Sequence, residues 1–193
     1  MAGSYKEVVD ALELIPHPEG GYFRETWRSG AAPMESRGKT DEGGQCMPSD
    51  RVGEQRNVMT SIYYLITSEH PYQWWVSNAS THVHYHHGGD CLVYTVAHPD
   101  GKMEQHRLGT NFAAGDRPQM VVPGGSWKCA RLDAAGKNGW ALIGEGVAPG
   151  FDYRDFDFVT KAQLSERCPA ALEACGDLVK AGQEDFEAYY DKS

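Results

Sequence analysis

An all-β barrel or sandwich is the fold class this sequence predicts, and three observations predict it. Short β-type runs follow one another from residue 57 onward, turn material rich in Gly, Pro or Asp separates them, and no helical periodicity is interleaved. The elements before and after this series are exceptions to it, and each has its own local signal.

The first element is a helix. "SYKEVVDALELI" puts Val8, Val9, Leu12 and Ile15 on one face at helical spacing, with Ser4 as cap and Pro16 as stop, so residues 1–16 form an amphipathic N-terminal helical unit. "HPEGGYFRETWRS" then alternates as a strand does, with Tyr22, Arg24 and Thr26 on one side and Phe23, Glu25 and Trp27 on the other. From 30 to 56 the chain turns to Gly, Ser, Pro and charge with almost nothing to bury, which reads as a long mobile insertion. The strand series follows: "NVMTSIYYLIT", "YQWWVSN", "THVHYHH", "CLVYTVAH", "KMEQHRLG", "RPQMVVP", "SWKCARL" and "GWALIGEGVAP". Between them lie "SEHP", "GGD", "HPDG", "AAGD", "PGG" and "DAAGKN". Lys161 to Tyr190 carry Ala, Leu and Glu at helical spacing broken at Pro169, which predicts two short helices outside the β core, in a tail over 166–193.

Bulk properties narrow the function. A chain of 193 residues suits one domain with a proper core. Its net charge of -9, with no dense Lys/Arg patch, argues against nucleic acid as a partner. No basic start precedes an apolar run and no segment is apolar for about 18 residues, so the expectation is a soluble, intracellular, cytoplasmic protein with no membrane partner. Five cysteines without a close CxxC pair read as free thiols. No Gly-rich phosphate loop, GxSxG elbow or Cys–His nucleophile pattern is present, so no nucleotide cofactor is expected.

Chemistry concentrates in "THVHYHHGGD", where four of the chain's 8 histidines fall within six positions. On a strand His82, His84 and His86 share a face, His87 takes the other, and "GGD" makes the turn that carries Asp90 away. Neighbours on that face are about 6.7 Å apart and His82 and His86 roughly 13 Å apart, so at most two of the three can comfortably share one ion. A third ligand must come from another strand, with His106 or Glu104 the nearest by residue type. Three readings stay open: a divalent transition metal (Zn, Fe, Mn, Ni or Cu) on His82, His84 and His86, acid–base catalysis by the same rings, or a half-exposed polar face. His17 and His70 precede prolines and His98 lies in a turn, which reads as structural.

Several blocks, in order, carry a resemblance. "LIPHPEGGYFRETWRS", "SIYYLIT", "GGDCLVYTVAHPDG", "LGTNFAAGDRPQMVVPGGSWKCARL" and "WALIGEGVAPGFDYRDFDF" resemble the Cupin_5 family of the cupin superfamily, whose members mostly have no known function. The match runs roughly from Leu14 to Leu164. It implies a double-stranded β-helix, or jelly roll, related to sugar-nucleotide epimerases, and sets the domain at 17–165. It also implies a small-molecule pocket in the barrel mouth and a homodimer with the N-terminal strand across the partner sheet.

The chain departs from the family at two places. Ser80-Thr81-His82-Val83-His84-Tyr85 stands where members have something like Ser-Asp-Glu-x-Trp-His, and Lys128 stands where Gln is common. Metal-binding cupins take a last His from the motif after Pro-x-Gly, and here the position is Lys128, a poor ligand while protonated. Without a metal, His84 and His86 serve as acid or base, and Tyr63, Tyr85 and Lys128 supply a proton or stabilise an enolate oxygen. Arg24 and Arg117 are candidates for an anionic group on the ligand, or for structural ion pairs, and Trp127 and Phe151 for apolar walls. The resulting expectation is an isomerase or epimerase, cyclase or lyase acting on a small carbonyl- or hydroxyl-bearing metabolite. The alternative is a non-catalytic small-molecule-binding cupin.

Overall fold

A computed structural model describes residues 4–29, 46–48 and 55–181. The expected insertion over 30–56 lies outside the described residues except at 46–48 and 55–56, as does the end of the tail beyond 181.

Helix α1 spans Tyr5–Leu12, and the Ser4 side chain accepts from the Lys6 amide. The helix closes before the expected Ile15 because Glu13 takes a left-handed φ of 52°, and the Glu13 and Leu14 amides fold back onto the Asp10 and Val9 carbonyls. Ile15 therefore sits in strand β1 (Ile15–Pro16) and is 58% exposed rather than on the helix face.

The remaining strands are β2 (Tyr22–Arg28), β3 (Cys46–Pro48), β4 (Gln55–Asn57), β5 (Thr60–Thr67), β6 (Tyr72–Asn78), β7 (Thr81–Gly89) and β8 (Leu92–Ala97). They continue with β9 (Met103–Leu108), β10 (Gln119–Val122), β11 (Trp127–Leu132), β12 (Trp140–Ala148) and β13 (Phe156–Phe158). One sheet runs β1-β2-β5-β12-β7-β10, the second β13-β6-β11-β8-β9, and β3 pairs with β4. All ladders between these strands are antiparallel. Each of the eight predicted runs falls on one of β5 to β12.

Alternation along the strands makes the core. Tyr64, Ile66, Ile143, Leu92, Tyr94, Val96, Met120 and Val122 fill the space between the two sheets. A second cluster joins Trp75, Trp127 and Cys129 to Leu164, Ala171 and Leu178 of the C-terminal helices α2 (Lys161–Arg167) and α3 (Pro169–Cys175) and the short 3-10 turn after them. Thr160 and Gln163 form a capping box on α2, Pro169 starts α3, and Trp75 Nε1 donates to the Cys175 carbonyl at 2.9 Å. Cys91, Cys129, Cys168 and Cys175 are free thiols.

Two irregularities aim side chains. A bulge between Glu25 and Trp27 in β2 puts Trp27, opposite Ser61, on the outer face rather than alternating with Arg24 as the sequence pattern suggested. A second lies opposite His87, between the Leu142–Gly88 and Ile143–His86 pairs of β12 and β7. After β7 the Asp90 carboxylate accepts from the backbone amides of Lys137, Asn138 and Gly139 and from the Asn138 side chain, which pins the loop before β12. Asp90 thus lies in a turn and spends its acceptors there.

Candidate functional site

The inner row of β7 begins with His82 and His84, 5% and 0% exposed. Across the ladder His84 faces Glu145 of β12, a carboxylate on the inward row Ala141, Ile143, Glu145, Val147. Lys128 reaches in from β11 in the opposite sheet and is buried too. Four ionisable side chains from three strands and both sheets therefore meet inside the barrel.

Their contacts are specific. Lys128 Nζ is 3.3 Å from His82 Nδ1, 3.3 Å from His84 Nε2 and 3.2 Å from Glu145 Oε2. Glu145 bridges the rings, with Oε2 3.2 Å from His82 Nδ1 and Oε1 3.3 Å from His84 Nδ1. The Tyr94 hydroxyl lies 3.5 Å from His84 Nδ1. His84 Nδ1 then carries the proton facing Glu145, and Nε2 accepts from the lysine. His82 Nε2 is buried without a hydrogen-bond partner.

A second carboxylate lies close by. Glu19, in the turn before β2, accepts from Gln73 Nε2 of β6, whose own Oε1 is buried without a partner. The Glu19 amide donates to His17 Nδ1 at 3.1 Å, and the His17 ring meets Phe23 and Tyr64 edge-on. Gly20 and Gly21, with φ of 98° and 72°, make this turn, and a Cβ on Gly21 would meet the Leu65 carbonyl oxygen at 2.3 Å.

Burial and charge push these groups apart. Burial opposes the charge on Glu145, but His84, Lys128 and His82 outweigh it and hold its carboxyl well below the usual range. Burial pushes Glu19 up to about 7, with Lys128 pulling the other way. Burial, then Lys128, pushes His82 down to about 4, and burial lowers His84. Burial lowers His17 to about 3. Near neutral pH the site holds neutral imidazoles, an ionised Glu145 and a Glu19 close to half-protonated.

His82, His84 and Glu145 have ligand atoms all within 4.8 Å of one another and form a set that could hold a metal. Lys128 decides the fit. An ammonium has three N–H donors and no acceptor, and here one ligand atom from each member of the set lies 3.2 to 3.3 Å from Nζ. The place where an ion would gather these donors is taken by the lysine, so the set does not fit a divalent ion beside it.

The other predicted residues lie elsewhere. His86 is on the inner row opposite Ile143, but its Nε2 lies 3.0 Å from the Asp90 carbonyl and outside the cluster. Tyr85 and Tyr63 share the outer face, opposite Gly144, where the Tyr63 ring meets His87. Arg24 pairs with Glu13 at 2.5 Å and donates to the Leu12 carbonyl. Arg117 is exposed and donates to the Asp116 carbonyl. Trp127 belongs to the second core under the Arg167 guanidinium, and Phe151 packs on Tyr153 and Phe156. His106 meets Glu104 on β9, the edge of the second sheet, rather than the cluster.

Residue-by-residue reading therefore missed Glu145, Glu19 and Gln73, while His17, read as structural, accepts from the Glu19 amide in the turn that holds this carboxylate. Glu145 had a signal in "ALIGEGV", a carboxylate in register with the apolar residues that alternation turns inward. Glu19 lies in a turn and had none.

The comparisons with known proteins fit this architecture. An uncharacterized protein of Saccharomyces cerevisiae is 34% identical over 158 residues, spanning 81% of this chain and 75% of the relative. A hypothetical protein from Leishmania major, 28% identical, superposes with a TM-score of 0.73 over 92% of this chain and 97% of that one. A Shewanella oneidensis protein, 25% identical, gives 0.72 over 94% and 99%. The profile of the Cupin superfamily (DUF985) matches residues 6–159, and the chain belongs to that family.

Proposed function

We propose that this cupin is an enzyme that isomerises a small carbonyl- or hydroxyl-bearing metabolite, or eliminates from it, by proton transfer inside the barrel. One observation carries the reading: His82, His84, Glu145 and Lys128 converge from both sheets with every charged partner buried, and His82 Nε2 is left without a hydrogen bond. A buried neutral imidazole with a free ring nitrogen is a base in waiting, and an uncompensated polar atom is costly in a site that does nothing.

The roles follow from the surroundings. His82 takes the proton, and Glu145 fixes the rings and carries the imidazolium charge when it forms. Glu19, pushed up to about 7 by burial, supplies a proton on the other side of the reaction. Lys128 provides positive charge next to an oxygen that gains electrons. None of these steps passes through a metal, because the lysine holds that position.

Deuterium uptake tests the reading. In D2O, wild-type protein incubated with pools of sugars and keto acids should place solvent deuterium at a carbon next to a carbonyl in at least one metabolite. His82→Gln and Glu19→Gln should each slow this by about 10²–10⁴-fold. Uptake that is absent in wild type, or as fast in both variants as in wild type, removes the acid–base assignment.

The protein's outer face supports a homodimer as its working form. Trp27, Tyr85 and Val121, 54%, 39% and 48% exposed, lie on the solvent side of the six-stranded sheet.

A further inference from the structure

We propose that Lys128 is a resident cation that closes the His82–His84–Glu145 set to divalent metal ions, and that removing its charge turns this set into a mononuclear site for zinc, cobalt or nickel. The inference rests on geometry and stands whether or not the protein turns anything over.

The three residues are by type a two-histidine, one-carboxylate set, a common way to hold such ions. What separates this set from a metal centre is one nitrogen. Lys128 Nζ lies 3.2 to 3.3 Å from His82 Nδ1, His84 Nε2 and Glu145 Oε2, at the point where the ligand atoms of the set converge. The lysine donates to His84 Nε2 and Glu145 Oε2, and the His82 Nδ1 proton points to Glu145, so the atoms an ion would bind are already engaged.

Charge points the same way. Glu145 is the one carboxylate of the set, and the Lys128 ammonium pairs with it at 3.2 Å. A divalent ion added beside it would meet a like charge in a buried place, where the repulsion is poorly screened. Once the ammonium is removed, two neutral imidazoles and a carboxylate face a dication with the right charge and softness.

The lysine is also held in place. Its neighbours Trp127 and Cys129 turn into the second core against the C-terminal helices, and β11 is paired on both sides, by β6 and β8. With the side chain only 5% exposed, it has no ready route out to solvent.

Metal content tests the proposal directly. Wild type, His84→Ala, Lys128→Met, Lys128→Gln and the double variant Lys128→Met/His84→Ala, all made without a histidine tag, are loaded with zinc or cobalt, dialysed against metal-free buffer and analysed for bound metal. Near-UV circular dichroism reports folding. Wild type and His84→Ala should retain well below one ion per chain, the folded Lys128 single variants about one, and the double variant should lose it again. Cobalt in the Lys128 single variants should give the visible band of a tetrahedral site.

The proposal is overturned if wild type holds about one ion that His84→Ala removes, or if both Lys128 single variants fold and stay metal-free. A measurement on the unaltered protein covers variants that do not fold. The 15N-labelled Lys128 ammonium of wild type should give a slowly exchanging resonance that added zinc leaves in place. Loss or displacement of that resonance with zinc binding overturns the proposal.

Discussion

Glu19 and Glu145 are the same residue type in one interior, and their surroundings drive them in opposite directions. Glu145 has two imidazoles and an ammonium within reach and is held well below the usual carboxylate range despite its burial. Glu19 has the burial with weaker compensation and rises to about 7. The sign for stability follows from the unfolded value of 4.5. Between 4.5 and about 7 the folded chain keeps a proton that the unfolded chain releases, so Glu19 costs stability as pH rises, on the order of 3 kcal/mol by the top of the window. His82 and His17, lowered to about 4 and about 3, act oppositely. Their contribution is full above the ordinary histidine value of 6.5 and is lost on acidification. Glu19→Gln should therefore gain on wild type as pH rises. Urea unfolding at about pH 5 and about pH 8 should show the variant's stability changing more favourably by roughly 2–3 kcal/mol. Equal changes in the two proteins would mean that Glu19 titrates as an ordinary carboxyl.

At the scale of elements, the turn from His17 to Gly21 and the register of β7 against β12 do most to build the site. Gly21 has both a left-handed φ and no room for a Cβ beside the Leu65 backbone, so Gly21→Ala should cost about 1–3 kcal/mol and move Glu19 from Gln73. Thermal unfolding measures the first effect. A Glu19-dependent pH profile that disappears in Gly21→Ala measures the second, and an unchanged profile would show that the turn can shift without carrying the carboxylate. These elements also explain what could be read in advance. Strand alternation and turn residues are local, so β5 to β12 and the shared face of His82 and His84 were legible from their own segments. The third partner of the histidines was not, because Glu145 lies 61 residues past His84 (145 − 84) and meets it only through the β7–β12 ladder. Trp27 misled for a different reason: a bulge shifts alternation by one residue, and the pattern in "YFRETWR" does not mark it.

For the whole molecule, the six-stranded sheet has an unusual outer surface. Arg24, Tyr63, Gly144, Tyr85 and Gln119 lie in one cross-strand row and Trp27, Ser61, Gly146, Val83 and Val121 in the next, with the His87 ring lying over Gly144 and the Met59 methyl over Gly146. Such a surface suits self-association better than water. Wild type should sediment as a dimer, and Trp27→Lys or Tyr85→Lys should shift it toward monomer while leaving the interior cluster and its pH dependence intact. A wild-type monomer would remove the homodimer. No helix among the described residues is long and apolar enough to cross a membrane.

The Asp90 cradle has a consequence for chemical ageing. Asn138-Gly139 is the chain's Asn-Gly dipeptide, the kind that deamidates fastest because the glycine amide nitrogen attacks the asparagine side chain to close a succinimide ring. Here that nitrogen donates to Asp90 Oδ2 at 2.7 Å, and the Asn138 side-chain amide donates to Oδ1 at 2.7 Å. Both reacting groups are tied to the same carboxylate, so ring closure must wait for the loop to open. Peptide mapping after prolonged incubation should find Asn138 largely intact in wild type and converted to Asp and isoaspartate several-fold faster in Asp90→Ala. Storage lifetime would then act as a slow clock for the opening of one surface loop.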